Sequence, residues 1–209
     1  MWCPSASTDN NKSKAGNKSR GLIMAEVHAV KDLDTVRLIS HLLERRYSKQ
    51  MRYVWEVGIN LALRVTDLLS IKFSDFTDGR LVINEGKTGK RAEIKINPKA
   101  QALINEIRLQ HPHHVFLFQS YRNQRAINTP AKPLTRRSVS KAFELVSEEL
   151  NIHINSHSMR KTRGYHLYKK TNDIARVMMM LRHSSESTTL RYIGITQEDV
   201  DRDFTELEL

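Results

Sequence analysis

The sequence lacks the cysteines and the long apolar segments on which several classes of protein depend. It contains a single cysteine, Cys3, in 209 residues, so it can form no disulfide within the chain, which excludes a secreted scaffold built on disulfides. It lacks any apolar run near the roughly 20 residues of a transmembrane helix, and its N-terminus has no apolar signal core. These absences predict a soluble, cytoplasmic protein without a membrane partner.

Acidic residues are missing from two long stretches, Ile107 to Phe143 and Asn151 to Asn172, both of which hold several Lys and Arg. They are concentrated instead in the tail that begins at about Glu198, and the formal net charge of the whole chain is +11. A basic body with an acidic tail indicates a polyanionic partner, and a nucleic acid is favoured.

The hydrophobic pattern predicts one α+β domain, mostly α-helical, over residues 25–209. Residues 1–24 are predicted to be a disordered, polar, basic arm, because they include too few apolar residues to pack. Alternation on either side of the turn Gly86–Gly89 predicts a small antiparallel β-hairpin, and Val115–Phe118 has the pattern of a short strand. The tail from about residue 197 to 209 is amphipathic. Helical periodicity is predicted near residues 32–43, 54–69, 98–109, 135–150, 157–170, 173–181 and 186–193.

Six polar residues lie where packing alone does not explain them: Arg64, Lys87, His157, Arg160, His183 and Tyr192. Each has an ordinary alternative. An ion pair with Asp67 would account for Arg64, and a lysine in a hairpin turn such as Lys87 is usually just solvated. His183 and Tyr192 flank a short polar helix, where both can be half-buried residues whose polar ends find partners.

The segment from Ser156 to Arg160 is more specific. His157 and Arg160 share one face of a helix whose expected N-cap is Asn155 or Ser156. The free N–H groups of a helix N-terminus favour an anion, and an arginine beside them can bind two phosphate oxygens. A tyrosine needs such cations and a placed base before it can act as a nucleophile.

A metal site is not predicted. The neighbouring histidines His111, His113 and His114 lack the ligand spacing of a zinc site, and no cysteine or acid joins them.

Five segments in sequence order carry a family resemblance: Leu61–Leu69 (LALRVTDLL), Gly86–Lys90 (GKTGK), His157–Arg160 (HSMR), Leu181–Ser185 (LRHSS) and Thr188–Tyr192 (TTLRY). Each segment alone is a weak signal, but their order and spacing together are strong. From about residue 30 to its end, the chain resembles the catalytic domain of the tyrosine recombinase (phage integrase) family. The resemblance implies a mostly helical catalytic fold and site-specific exchange of DNA strands.

The resemblance also implies the central roles in that reaction. Tyr192 would attack a DNA phosphodiester, leaving a 3′-phosphotyrosyl link and a free 5′-hydroxyl. Arg64 and Arg160 would hold the non-bridging oxygens and stabilise the charge of the pentacoordinate state, and Asp67 would orient Arg64. Neither a cofactor nor a metal is implied, because the phosphotyrosine stores the bond energy for rejoining.

Proton transfers follow from the same resemblance. Lys87 would protonate the departing 5′-oxygen, His157 would act at the tyrosine, and His183 would donate a hydrogen bond to the phosphate. The sequence departs from the family pattern in having Lys161 in place of a histidine and Arg182 in place of a glycine. The second change puts the local geometry in question, because glycine permits close backbone approach.

Double-stranded DNA is the implied partner, and the residues expected to contact it are Arg122, Arg125, Arg136, Arg137 and Lys161. The family implies a homo-oligomer on DNA, accessory DNA-bending proteins, and a bacterial or phage origin with the protein located at the nucleoid. The acidic tail is expected to dock in a groove, either of its own chain or of a neighbouring protomer. Family members commonly have a DNA-clamping domain before the catalytic one, whereas about thirty residues precede the first helix here, so the protein is expected either to grip DNA from one side or to work with help.

Two alternatives remain open. One is relaxation of DNA by a type IB topoisomerase-like enzyme with the same phosphotyrosine chemistry. The other is a DNA-binding regulator that keeps the fold without turnover.

Overall fold

The computed structural model describes residues 29–121 and 130–206. Within them the chain is mostly α-helical with a small antiparallel sheet, as predicted. The strands β1 (Phe76–Thr77), β2 (Arg80–Asn84) and β3 (Arg91–Lys95) pair in the order β1-β2-β3. The helices are α1 (Leu33–Arg46), α2 (Lys49–Leu61), α3 (Val65–Ser70), α4 (Pro98–Gln110), α5 (Arg136–Leu150), α6 (Ser158–Thr171), α7 (Ile174–Leu181), α8 (Glu186–Ile193) and α9 (Gln197–Glu206).

Short polar side chains begin several helices by accepting hydrogen bonds from free backbone N–H groups. Asp32 accepts from Thr35 at 2.6 Å at the start of α1. Asn97 accepts from Ala100 at 2.9 Å at the start of α4, where Pro98 occupies the first turn. Proline suits that place because its missing N–H would have no partner there. Because these capping signals are local, the helices that they begin can be predicted from the sequence.

Helix α2 lies at the centre of the main core and packs against α1, α4, α5 and α6. Its Trp55 is fully buried, meets the edge of Phe143 on α5 at a centroid distance of 5.6 Å, and donates to the carbonyl of Val36 on α1 at 3.1 Å. Burial of such a side chain is worth about 2–3 kcal/mol, so these contacts fix α1 and α5 against α2.

A second, smaller core holds the C-terminal helices together. Val177 and Leu181 of α7 and Ile193 of α8 are fully buried, and they pack with Ala62 from the end of α2. Tyr192 is partly buried against the same cluster. This core therefore brings the ends of α2, α7 and α8 to one place.

Three local predictions need correction. The helical pattern over residues 54–69 is divided at Ala62, whose left-handed φ of 53° ends α2 before α3 begins. Residues 115–118 form no strand beyond a single bridge between Phe116 and Lys72. The hairpin gains a strand the sequence did not indicate, β1, whose two residues are too few to show alternation.

The acidic tail is helical, as its amphipathic pattern indicates. Asp199 near the start of α9 lies 3.7 Å from Lys31, whereas Phe204 is 81% exposed. The arm over residues 1–24 lies outside the described residues. No helix within residues 29–121 and 130–206 is both long and apolar enough to cross a membrane.

A Gly164→Ala variant is expected to be less stable than the wild type. A Cβ at this position of α6 would lie 2.7 Å from Ile193 Cγ2 and 3.1 Å from Leu181 Cδ1. Overpacking costs about 1–3 kcal/mol, which exceeds the gain of about 0.5–1 kcal/mol from alanine in a helix. Urea unfolding measures the difference, with the exposed Lys169→Ala change in the same helix as a control. A higher urea midpoint for Gly164→Ala would contradict this packing.

Candidate active site

Arg64 stands at the junction between α2 and α3. The turn at Ala62 redirects the chain, and Arg64 becomes the N-cap residue of α3. Its side chain is 23% exposed, and its Nη1 lies 3.2 Å from Glu85 Oε1. That pair is not aligned as a hydrogen bond, and Nη1 has no hydrogen-bond partner among the described residues. This guanidinium is therefore held near Glu85 by charge, with no hydrogen bond that a second anion would have to displace.

Arg160 lies in the first turn of α6 and is 3% exposed. Its Nη1 donates to the carbonyl of Ala62 at 2.6 Å, and its Nη2 donates to the carbonyl of Leu181. Burial, then the charges of Arg64 and Arg182, lower the pKa of Arg160, while Tyr192 and Glu85 act in the opposite direction. The two carbonyls hold the guanidinium rigidly between α2, α6 and α7.

Tyr192 projects from α8 into the same region. Its ring meets that of His183 edge to face, with centroids 5.0 Å apart. His183 Nδ1 lies 3.2 Å from Thr189 Oγ1, so the imidazole is positioned by α8 as well. Burial raises the pKa of the Tyr192 phenol, and the charge of Arg160, a hydrogen bond with it and the charge of Arg64 oppose this rise. The structure thus brings Tyr192, His183, Arg160 and Arg64 together.

His157 and Lys161 lie one turn apart at the start of α6. Lys161 is buried, and its Nζ lies 5.1 Å from the centroid of the Tyr192 ring, a cation–π distance. His157 is the N-cap residue of α6, although its side chain does not cap. The predicted cap, Asn155, instead accepts from the backbone N–H of His157 at 2.7 Å. His157 is exposed, so it lies at the solvent-facing mouth of the site.

The imidazoles of His157 and His183 have lowered pKa values. For His157 the causes are partial removal from water, then the charge of Arg136 on α5, then the charges of Lys161, Arg160 and Arg64. For His183 they are burial and the charges of Arg160 and Arg64. Both rings are therefore neutral at neutral pH and can accept a proton.

Lys87 lies apart from these groups. It is exposed in the turn between β2 and β3, and its side chain makes no hydrogen bond or ion pair with any residue in the described parts of the chain. The turn is anchored at its base, where Asp67 Oδ1 accepts from the backbone N–H of Gly86 at 2.9 Å.

The role expected for Asp67 needs correction. Asp67 is 3% exposed, and its hydrogen bond goes to the hairpin, not to Arg64. The carboxylate beside Arg64 is that of Glu85, which sequence reasoning missed. A signal was present: Leu81, Ile83 and Glu85 alternate along β2 and its end, and all three are buried. An acid continuing a buried strand face must have cationic partners.

The predicted DNA contacts fall in three groups. Lys161 is buried against the Tyr192 ring, so it does not lie on an exposed surface as a DNA contact would. Arg122 and Arg125 lie outside the described residues. Arg136 and Arg137 are exposed in the first turn of α5, close enough for the charge of Arg136 to act on His157. Arg136 and Arg137 thus place positive charge on the side of the site where His157 lies.

The histidine cluster shows an ordinary packing role. The rings of His111 and His114 stack 4.5 Å apart, and the hydroxyl of Tyr121 lies 3.0 Å from His111 Nε2. No group of three or more His, Cys, Asp or Glu side chains suited to a metal ion occurs in the part of the chain that the structure describes.

Comparison with known proteins identifies relatives along most of the chain. The phage integrase family model matches residues 31–199. A probable integrase/recombinase, YoeC, of Bacillus subtilis (strain 168) is 33% identical over 175 residues, which is 82% of this chain and 93% of YoeC. Tyrosine recombinase XerC of Proteus mirabilis is 29% identical over 77% of this chain, but the chain spans only 53% of that protein's length.

Solved structures agree in fold. A lambda integrase dimer bound to a core site aligns with a TM-score of 0.62 and 19% identity, over 82% of this chain and 62% of that one. The XerA recombinase aligns with a TM-score of 0.66 and 15% identity, over 87% and 64%. The predicted integrase-type catalytic fold is thus confirmed, and the chain belongs to the phage integrase family of tyrosine recombinases.

Proposed function

We propose that this protein is a site-specific DNA recombinase that cuts and rejoins strands through Tyr192. The observation that carries the proposal is the convergence of the Tyr192 phenol with two guanidiniums from distant segments, Arg64 and Arg160. A phenol is a weak nucleophile unless cations surround it and a base takes its proton. Two guanidiniums beside it suit one phosphate of a DNA backbone.

The reaction balances without a cofactor. Tyr192 Oη would attack the phosphorus of a backbone phosphodiester, forming the Oη–P bond as the P–O5′ bond breaks. The products are a 3′-phosphotyrosyl link and a 5′-hydroxyl. Attack by the 5′-hydroxyl of a partner strand reverses these steps and releases Tyr192. The number of phosphoester bonds does not change, so no external energy source is needed.

The arginines would stabilise the transition state electrostatically. As the phosphorus becomes pentacoordinate, negative charge grows on the non-bridging oxygens, and preorganised donors aimed at that charge lower the barrier. Arg160 is preorganised by the carbonyls of Ala62 and Leu181. Arg64 offers the N–H edge that has no hydrogen-bond partner in the described structure.

Three further groups would transfer protons or donate a hydrogen bond during the reaction. His157, neutral and at the mouth of the site, would receive the phenolic proton, and His183 would hydrogen-bond a phosphate oxygen. Lys87 would protonate the 5′-oxygen. Because Lys87 lies on an exposed turn, it would reach that oxygen as the hairpin closes on bound DNA.

Cleavage is expected to fall as the solution is acidified. The pKa of His157 lies below the ordinary imidazole value of 6.5, so the ring is neutral at neutral pH and loses its basicity only below that value. The single-turnover rate should be flat near pH 7 and then fall about tenfold per pH unit. An Arg136→Ala change removes a charge that lowers this pKa, so it should move the midpoint upward. A midpoint above the ordinary imidazole value, or one that Arg136→Ala leaves in place, would contradict the assignment of His157.

The proposed partners follow from the same fold and charge. Double-stranded DNA would lie across the mouth of the site, with its phosphates on Arg136 and Arg137. Lambda integrase has been solved as a dimer on a core site and as a tetramer on a Holliday junction. A homo-oligomer on DNA is proposed here too, in the bacterial cytoplasm at the nucleoid. The exposed Phe204 on α9 would pack on a neighbouring copy, and accessory bending proteins would assist.

Covalent selection from randomised DNA tests this function and identifies the target sequence in the same experiment. Wild-type protein is incubated with duplexes that carry a randomised core and a nick placed to release the 5′-hydroxyl fragment. Adducts that survive denaturation are recovered and sequenced. Wild type is expected to enrich a common sequence, and Tyr192→Phe should recover nothing above background.

Other outcomes would support the alternatives. DNA binding by both proteins with no adduct from either would favour a non-catalytic regulator. Adducts on unrelated sequences, with relaxation of supercoiled DNA that carries no paired sites, would favour a topoisomerase-like enzyme.

A further inference from the structure

Glu85 is a buried carboxylate beside the active site that the proposed chemistry does not use. It is 1% exposed and follows the end of β2, two residues before Lys87. Thr88 Oγ1 donates to its Oε2 at 2.8 Å, and Arg182 Nη1 donates to its Oε1. Burial raises the pKa of Glu85, but the hydrogen bonds from Thr88 and Arg182 and the charge of Arg64 outweigh it, so the pKa is lowered. The carboxylate is therefore charged.

Arg64 and Arg182 face the same carboxylate oxygen in different ways. Arg64 Nη1 lies 3.2 Å from Glu85 Oε1 without hydrogen-bond alignment, and it has no hydrogen-bond partner in the described structure. Arg182 takes the aligned hydrogen bond to that oxygen. Glu85 thus attracts Arg64 by charge while its oxygens are occupied by Arg182 and Thr88.

Arg182 occupies an unusual backbone position for its type. It is the C-cap residue of α7 with φ 51° and ψ 48°, the left-handed region that favours glycine. Its neighbours both serve the site, since the carbonyl of Leu181 accepts from Arg160 and the ring of His183 contacts Tyr192. An arginine here bears a conformational cost that a glycine would avoid, which indicates that its side chain has a use.

We propose, on the basis of the proposed function, that Arg182 is a positioning residue that takes the aligned hydrogen bond of the Glu85 carboxylate, so that Arg64 stays near Glu85 without being hydrogen-bonded to it. A phosphodiester and a carboxylate are both anions, and they compete for one guanidinium. Without Arg182, the Glu85 carboxylate turns to hydrogen-bond Arg64 and takes the N–H edge that the phosphate needs. With Arg182 in place, the charge of Glu85 is neutralised, and its bond to Thr88 keeps the hairpin that carries Lys87 beside the pocket.

The proposal predicts that one substitution affects cleavage far more than stability. Arg182→Gly relieves the left-handed backbone but removes a hydrogen bond to the buried Glu85 carboxylate, so the two effects oppose each other and the thermal midpoint should change little. Its single-turnover rate of covalent-complex formation should nevertheless fall by about thirtyfold, as expected of a strongly coupled pair. Arg182→Asn, which also tolerates this backbone, should show the same loss.

A second substitution should rescue the first. Glu85→Gln alone should slow cleavage by about threefold because the Thr88 hydroxyl of the hairpin loses its charged acceptor, and Glu85→Gln with Arg182→Gly should be no slower. Arg176→Ala removes an exposed arginine of the same helix, paired with Asp173 at 3.0 Å, and should leave the rate unchanged. A double variant as slow as Arg182→Gly, or an Arg182→Gly variant as fast as the wild type, would overturn the proposal.

Phosphate titration provides a readout that does not need turnover. The Nε–H resonance of Arg64, identified by its absence in Arg64→Lys, is followed by NMR as inorganic phosphate is added. It should shift in the wild type and in the double variant, and much less in Arg182→Gly. If this pattern is observed but none of the proteins forms a covalent complex, the recombinase function is contradicted and the role of Arg182 is supported. Equal shifts of the Arg64 resonance in all three proteins would contradict the role of Arg182.

Discussion

A Tyr192→Phe variant is expected to form no covalent complex with DNA at any incubation time, while it binds the same duplex as tightly as the wild type. The substitution removes only the hydroxyl oxygen that would become bonded to phosphorus. The ring stays edge-on to His183, and the Lys161 ammonium stays above its face. Arg160 keeps its bonds to the carbonyls of Ala62 and Leu181, so the pocket should be preserved.

The measurement is a denaturing gel of a nicked duplex bearing the selected sequence, paired with fluorescence anisotropy for affinity. Tyr165→Phe is a matched control, because Tyr165 packs on the same small core and lies under Lys31 at 5.3 Å, outside the proposed site. It should form the complex at the wild-type rate. An adduct from Tyr192→Phe would mean that a different side chain is the nucleophile.

Elements with local signals were predictable from the sequence. The helices α1 and α4 begin at Asp32 and Asn97, whose capping follows from residue type and position. The hairpin was readable from alternation about Gly86–Gly89. The family was readable because short segments occur in a fixed order, and the match over residues 31–199 confirms it. Capping preferences and the order of short motifs can both be identified in the sequence alone.

Contacts between distant segments were not predictable. Glu85 and Arg182 are 97 residues apart, and nothing in either neighbourhood indicates the other. Asp67 shows the converse, since its nearness to Arg64 in sequence suggested an ion pair, yet its hydrogen bond is to Gly86. A bond across the fold outweighed an adjacent charge because burial demands a well-aligned partner. Sequence identified candidate groups, and tertiary packing decided their partners.

Substitution of Arg160 is expected to have two effects that can be separated. Arg160→Ala leaves the carbonyls of Ala62 and Leu181 without their donor, and an unsatisfied buried group costs about 1–3 kcal/mol. The free energy of unfolding should therefore fall by about that amount or more, measured by urea titration. Cleavage should fall by about a hundredfold to a thousandfold, since removing one preorganised donor costs about 10²–10³. The exposed Arg45→Ala change is a control for loss of one positive charge.

Arg160→Lys distinguishes positioning from charge. A lysine keeps one positive charge, but it cannot donate to two carbonyls and also present a planar edge to a phosphate. Its cleavage rate should therefore stay about a hundredfold or more below that of the wild type, with much less change in DNA affinity, because the lost contacts act in the transition state. A rate restored by lysine would mean that charge alone suffices.

Arg160→Lys is expected to disturb the geometry of the site because Arg160 links three segments of the fold. Its acceptors come from the α2–α3 junction at Ala62 and from the end of α7 at Leu181, while the residue itself belongs to α6. The same guanidinium therefore joins the segments that carry Arg64 and His183 to its own helix. A lysine at this position can donate to the carbonyl of only one of those segments at a time. It should therefore leave Arg64 and His183 less well placed, even where the protein remains folded.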